Sequence, residues 1–233
     1  MRRAILMSAL VGQASRPVRR SPFFALALFV ICQAWTPALL AQRVVDRIVA
    51  RIEDDIIMLS EVRELGRFQQ LVQEQSAAIP KLLEQLIEQW IVSTEAEAAR
   101  FPHPAAADVD RELARLEEQS RGAEAFRARL RALGLSRETV RRQLERQLWL
   151  SRYLDYKFRP AAQVDDAQVE RYYREELVPD LVVRGQKAPP LADVREQVRE
   201  LLIQRDITER ASRWLEETRP RLRIEIQPGE LNP

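Results

Sequence analysis

The apolar positions of this chain recur mostly at steps of three and four residues, which is the spacing of one face of an α-helix. The clearest case is the segment from Ser136 to Arg159. Its expected buried face consists of Val140, Leu144, Leu148, Ser151, Leu154 and Phe158. Ser136 is a suitable N-cap, and Pro160 ends the segment because proline has no N–H to donate. We predict one long helix here, with a basic flank of Arg141, Arg142, Arg146 and Arg152.

A second stripe on the same predicted helix is aromatic. It consists of Trp149, Tyr153 and Tyr156, at positions i, i+4 and i+7. Two interpretations stay open, because such a stripe suits either a core face or a groove that holds another polypeptide. These three residues are our candidate contact residues for a second chain.

The rest of the sequence pattern predicts further helices, and residues that favour helix starts or ends mark their limits. Ser60 and Asp165 are expected N-caps, Pro80 suits a first helical turn, and Gly134 ends a helix. The last long helix is expected over residues 192–218, with a wide apolar face. The stretch before it, 178–190, is rich in proline and reads as a linker.

Two stretches carry strand patterns instead. Residues 44–58 are β-branched and broken by the polar turn Glu53-Asp54-Asp55, which predicts a hairpin. Residues 222–226 alternate as a strand does, and a lone strand needs a partner. We predict that the two pair. The expected fold is mainly α: a helical bundle with a small antiparallel β-sheet formed by an N-terminal hairpin and a C-terminal strand.

The N-terminal stretch, residues 1–41, reads as an export signal. It contains arginines but no acidic residue, then an apolar run, then small residues up to Ala41. We expect cleavage between Ala41 and Gln42 and a periplasmic product; the alternative is an uncleaved membrane anchor. The net charge of +2 becomes negative without this segment, and the one cysteine, Cys32, is lost with it.

Charge and candidate chemistry narrow the function classes. Residues 44–120 are acidic and residues 121–159 are basic, which predicts pairing between helices rather than a nucleic-acid face. The one histidine, His103, lies between two prolines and reads as a loop residue. Because no nucleophile, metal-ligand or phosphate-loop pattern occurs in the sequence, we expect no enzyme activity, no metal and no cofactor.

The order of these elements resembles the N-terminal domain of the SurA-type periplasmic chaperones. The stretches that carry the resemblance are 44–62, 82–87, 137–152 and, for the closing helix and strand, 191–226. It implies a SurA N-terminal-like helical chaperone domain (42–177) after the signal peptide (1–41), and a helix and strand that pack back on that domain (191–227). The linker (178–190) lies between them, and we expect a disordered tail (228–233).

The family usually carries parvulin-type prolyl isomerase domains where this chain has only residues 178–190. The resemblance therefore implies an ATP-independent holdase without the isomerase. Its expected partners are unfolded polypeptides, outer-membrane proteins first among them, with Trp149, Tyr153 and Tyr156 as client contacts. We expect no nucleic acid and no membrane anchor after cleavage. Alternatives are a degenerate isomerase, or an assembly protein that pairs with one fixed partner or with itself.

Overall fold

A computed structural model describes residues 46–227 and residue 229, all of which lie in one unit, Val45–Pro233. The predicted signal, its cleavage site at Ala41 and Gln42, and all of the predicted tail except Gly229 lie outside the described residues. The strands are β1 (Ile48–Ile52), β2 (Asp55–Met58) and β3 (Ile224–Ile226). The helices are α1 (Leu59–Gln73), α2 (Ile79–Ala98), α3 (Ala106–Gln119), α4 (Ala123–Leu133), α5 (Arg137–Phe158), α6 (Asp166–Tyr172), α7 (Val178–Val183) and α8 (Leu191–Thr218).

The two ends of the described chain meet in one sheet of order β2-β1-β3, with both pairs antiparallel. Ala50 lies opposite Ile57 on one side and Ile226 on the other. A bulge at the start of β1 lets Val49 and Ala50 both be fully buried. The predicted mainly-α fold, with a sheet built from the hairpin and the closing strand, is confirmed.

The largest core lies between this sheet and helices α1 and α2. Its most deeply buried members are Val49, Ala50, Ile52, Val62, Leu65, Leu83 and Ile87. Trp214 and Leu215, at the end of α8, pack against it and are half-buried. The closing helix and strand therefore return to the sheet, as the sequence predicts.

Two smaller cores surround α5. Its first half packs with α1, α3 and α4 around Phe68, Leu113 and Phe126, and its second half packs with α2 around Val92 and Ala96. Since different helices cover the two halves, the expected buried face of α5 is wrong in part: Ser151 is exposed, and Leu144, Leu148, Leu154 and Phe158 are only half-buried. The buried residues of α5 are Val140, Gln143, Trp149, Leu150 and Tyr153.

Most predicted helix ends are confirmed. The Ser136 hydroxyl accepts a hydrogen bond from the Thr139 N–H at 2.9 Å, and the Asp165 carboxylate accepts one from the Gln168 N–H at 2.7 Å. Gly134 takes the left-handed conformation (φ 61°) that favours glycine at a helix end. Pro80 lies in the first turn of α2.

Ser60 is not an N-cap, because α1 already begins at Leu59. The Glu61 carboxylate accepts a hydrogen bond from the Met58 N–H at 2.8 Å and so caps the helix start. The Ser60 side chain donates to the Asp46 carboxylate, which also accepts from the Ser60 N–H at 3.1 Å. These hydrogen bonds, the hydroxyl one foremost, lower the pKa of Asp46.

The predicted linker is partly helical. A π-helical turn, Tyr173–Leu177, leads directly into α7, so the irregular part is limited to residues 184–190. Pro179 is the second residue of α7 and follows the π-helical turn directly. α7 leaves Val182 and Val183 exposed.

Candidate functional site

A groove of about 440 Å³ opens between β2, the start of α1, α2 and α5. We call it the β2 groove. Its walls include Ile56, Leu86, Trp90, His103, Arg146 and Trp149. A second depression, of about 530 Å³, lies between α1, α3 and α4, but its lining of short and polar side chains includes no aromatic residue. The β2 groove is the better candidate site, since binding pockets are lined mainly by apolar and aromatic side chains with a few polar groups.

One wall of the groove is the outer edge of a sheet. In an antiparallel pair, the backbone groups of successive residues point alternately toward and away from the neighbouring strand. Ile52 and Asp55 flank the two-residue turn as a hydrogen-bonded pair, and the register places Arg51 opposite Ile56. The N–H and C=O of Ile56 therefore point away from β1, toward the open edge.

The open edge is short. The next outward N–H, that of Met58, is already bonded to the Glu61 carboxylate, and α1 begins at Leu59. Ile56 thus supplies the one outward donor of β2 that has no partner among the described residues. Its side chain is 45% exposed.

The apolar lining is held in place by hydrogen bonds. The Trp90 indole N–H donates to the Asp55 carboxylate at 2.9 Å, which ties α2 to β2. The Trp149 indole N–H donates to the Phe101 carbonyl at 3.3 Å. The His103 ring stacks on Trp149, with 4.3 Å between the ring centres. Leu86 is buried below them, so the groove has a preformed aromatic lining.

The arginines of α5 differ in their partners. Arg137, Arg141 and Arg152 form ion pairs with carboxylates of α3, at 2.6, 3.1 and 2.8 Å. These pairs confirm the predicted contact between acidic and basic helices. The Arg152 hydrogen bond, foremost, lowers the pKa of its partner Asp108.

The two arginines that line the β2 groove lack such partners. Arg142 is exposed and contacts only the Thr139 hydroxyl at 3.3 Å, and Arg146 is exposed with no polar partner among the described residues. Glu61, Glu97 and Glu145 also line the groove, but no ion pair joins them to these arginines within the described part of the chain. The groove therefore presents two guanidinium groups that a bound carboxylate could reach.

The structure divides the three predicted contact residues. Trp149 (5% exposed) and Tyr153 (3% exposed) belong to the core between α2 and α5, whereas Tyr156 is 64% exposed. The Phe101 ring packs on both tyrosines, 5.5 Å from Tyr153 and 5.3 Å from Tyr156. Of the three, Trp149 alone lines the β2 groove.

The sequence pattern does not predict that Ile56, Trp90 and Arg146 belong to one site. Ile56 is in the predicted hairpin and Trp90 on a predicted apolar face, and the spacing within either element does not show that they meet. The signal that was available is the edge position of the second hairpin strand. His103 lies in a loop as predicted, but it also contributes to the groove.

The comparisons with family models and curated proteins do not identify a function, so a functional assignment has to be inferred from this geometry. No family model and no curated protein matches the chain. Within the described residues, no group of three or more potential metal ligands occurs, and no helix combines the length and apolar character needed to cross a membrane.

Proposed function

We propose that this protein is an ATP-independent holdase chaperone of the periplasm, which binds unfolded exported polypeptides, outer-membrane proteins among them, in the β2 groove. The observation that carries this proposal is the open edge of β2 at Ile56, beside a preformed lining of Leu86, Trp90 and Trp149. Unfolded chains expose both apolar side chains and unpaired backbone groups, and this site offers partners for both. The periplasmic location rests on the export signal read in residues 1–41.

Weak and reversible binding follows from the size of the site. The groove is open on one side, and β2 offers the two backbone groups of one residue. A net hydrogen bond is worth about 0.5–1.5 kcal/mol, so a client segment would be held without being trapped. Such a site needs no ATP to release its client.

An aggregation assay tests the proposal. A urea-unfolded β-barrel outer-membrane protein is diluted into buffer with the purified protein, and light scattering is followed. We expect suppression by the wild type and its loss in Ile56→Glu, because a charge there would be desolvated by the bound client. Equal scattering with and without the wild-type protein would refute holdase activity.

Val72→Glu is the matched control for Ile56→Glu. Val72 is 44% exposed, close to the 45% of Ile56, and it lies near the opposite end of α1, about 16 Å from the groove at ~1.5 Å per residue. We expect Val72→Glu to suppress aggregation as the wild type does. Equal loss in both variants would mean that general surface hydrophobicity, and not the groove, holds the client.

Two further measurements separate the alternatives. Crosslinking in cells followed by purification should capture many unfolded outer-membrane proteins; one stoichiometric partner would favour an assembly protein. The purified protein should not accelerate cis–trans isomerisation of a proline peptide above background. Isomerase activity that disappears in His103→Ala would favour a degenerate isomerase.

A further inference from the structure

We propose that the β2 groove binds its client by strand addition: an extended segment pairs antiparallel with the outer edge of β2 at Ile56 and places a carboxylate opposite Arg142 and Arg146. This inference rests on the proposed function, because it takes the client to be an unfolded polypeptide. It adds the binding mode and the chemistry of the segment that is recognised.

The backbone of Ile56 defines the pairing. Its N–H and C=O point away from β1 because Arg51 and Ile56 face each other as a non-hydrogen-bonded pair. An antiparallel strand at this edge would place one client residue opposite Ile56, where both hydrogen bonds are exchanged with that residue. The Glu61 carboxylate on the Met58 N–H stops the pairing from extending toward α1.

The alternation of side chains then follows from the sheet. Ile56 shares the exposed face of the sheet with Arg51 and Glu225, whereas Ile57 shares the buried face with Ala50 and Ile226. Both residues line the groove, and the helices that form its other walls lie on the side of the buried face. The client residue paired with Ile56 would have its side chain on the exposed face. Its two neighbours would direct their side chains into the groove, toward Leu86 and Trp90. The segment is thus expected to be apolar at alternate positions.

The arginines of the groove predict a second feature of the bound segment, a carboxylate on its groove-facing side. Arg137, Arg141 and Arg152 of α5 are paired with carboxylates of α3. Arg142 and Arg146 face the groove without a carboxylate partner among the described residues. An aspartate or glutamate at a groove-facing position would complete the same pattern of ion pairs. We therefore expect one carboxylate of the segment to pair with Arg142 or Arg146. The rest of the segment is expected to be uncharged, because Glu61, Glu97 and Glu145 also line the groove.

The alternative occupant that the test must separate is a second copy of this chain. Two β2 edges could pair about a two-fold axis through Ile56. In such a pair Asp55 would take the groove-facing position next to Ile56, where its carboxylate is tied to Trp90 of its own chain by a 2.9 Å hydrogen bond. A client carboxylate has no such tie, so a client that carries one is favoured over a second copy.

The probe is a fluorescein-labelled eight-residue peptide in which threonine alternates with valine and one central valine is replaced by glutamate. Its binding to the purified full chain is measured by fluorescence anisotropy. Two derivatives carry backbone N-methyl groups, either on the threonines or on the valines. In the proposed pairing the valine and glutamate side chains enter the groove, so the threonine amides face β2. We expect about a tenfold loss of affinity on methylating the threonine amides, and little change on methylating the valine amides.

The N-methyl pattern is diagnostic because it does not alter the protein. Equal losses for the two derivatives, or no loss for either, would overturn strand addition. The protein variant Ile56→Glu should weaken the unmethylated peptide, with Val72→Glu unchanged. A concentration-dependent dimer in sedimentation that Ile56→Glu abolishes and the peptide does not displace would overturn the assigned occupant in favour of a second copy.

The carboxylate is tested by exchanging charges on both partners. The double variant Arg142→Glu/Arg146→Glu should weaken the glutamate peptide several-fold, but weaken a glutamine version much less. The matched control is Arg171→Glu/Arg174→Glu, which makes the same charge change at two exposed arginines outside the groove. Equal weakening by the two double variants, or of the two peptides, would overturn the proposed charge recognition.

Failure of the inference and failure of the function give different results. Suppression of aggregation without the N-methyl pattern would support holdase activity and refute strand addition as its binding mode. The N-methyl pattern without suppression of aggregation would leave an acidic-peptide binding site and remove the holdase.

Discussion

The sheet end of the molecule and the layer formed by α6 and α8 are held together by different interactions. At the sheet end, strands and helices enclose fully buried residues such as Val49, Ala50 and Ile87. In the described residues of α6 and α8, the buried side chains are those of Val169, Val198, Ile207 and Ala211. That layer is instead rich in ion pairs.

The ion pairs connect α8 to α6, to the π-helical turn and to Arg159, which follows α5. Asp166 of α6 bonds Arg195 at 3.4 Å and also Arg199, and Glu176 bonds Arg205 at 2.8 Å. Arg159, just after α5, bonds Asp155 and Glu200. Most of these side chains are exposed, and exposed pairs are worth only about 0–1 kcal/mol each. The comparison predicts that apolar contacts at the sheet, more than this network, set the global stability.

Removing α8 and β3 should have the largest effect. A chain that ends at Pro190 loses the β3 partner of β1 and uncovers the core against which Trp214 and Leu215 pack. We expect a poorly soluble or molten product that still has most of its helix, observed as loss of a cooperative thermal transition. A chain that ends at Gln227 is the control and should melt as the full chain does. A cooperative transition at an unchanged temperature in the shorter chain would show that α8 and β3 contribute nothing to the fold.

A matched pair of isoleucines compares the two regions directly. Ile87 is fully buried in the sheet core and Ile207 is 5% exposed on α8. Buried Ile→Ala changes cost about 2–5 kcal/mol. We expect Ile87→Ala near the top of that range and Ile207→Ala near the bottom, measured by urea unfolding. A larger cost for Ile207→Ala would reverse the comparison.

Acid should weaken the ion-paired layer. Hydrogen bonds from Arg159, foremost, lower the pKa of Glu200 from 4.5 to about 2 and also lower that of Asp155. A carboxylate with a lowered folded-state pKa adds stability above its unfolded pKa, and that stability is lost as pH falls from about 4.5 to about 2. Because these side chains are largely exposed, we expect about 1 kcal/mol or less.

Arg159→Ala should flatten this dependence, since the group that lowers both pKa values is gone. The free energy of unfolding is measured by urea titration at pH 6 and pH 3, with Arg184→Ala as the control, because Arg184 pairs locally with Asp180 of α7. An Arg159→Ala protein that loses as much stability between the two pH values as the wild type would contradict the assignment.

The smallest effect on stability is expected at the groove. Ile56→Glu and Val72→Glu both replace partly exposed side chains, so each should change the free energy of unfolding by about 0.5 kcal/mol or less. Ile56→Glu should nevertheless abolish client binding. A large loss of stability in Ile56→Glu alone would show that Ile56 serves the sheet rather than a bound partner.

The sequence was informative where the signal is local. Ser136, Gly134 and Asp165 mark helix ends because their side chains or backbone angles act within one turn, and strand alternation was enough to pair residues 222–226 with the hairpin. Ser60 failed because a carboxylate three residues after Met58 took the capping role.

Tertiary contacts account for the remaining errors. Periodicity treats α5 as having one buried face, but α3 covers its first half and α2 its second, so the buried face turns between Val140 and Tyr153. The β2 groove could not be read from the sequence for the same reason, since Ile56, Trp90 and Arg146 come from three separate elements. Composition showed that α5 is rich in arginine, but not which arginines α3 would leave unpaired.

The shortness of the β2 edge has a consequence for aggregation. A long, flat strand edge templates further strands and can nucleate cross-β fibrils. Here the turn at Glu53 and Asp54 closes one end of β2, and the Glu61 carboxylate occupies the next outward N–H at the other. An added strand would find one complete pairing position and no continuation. The protein would thus be able to pair with an aggregation-prone polypeptide at this edge without nucleating a fibril.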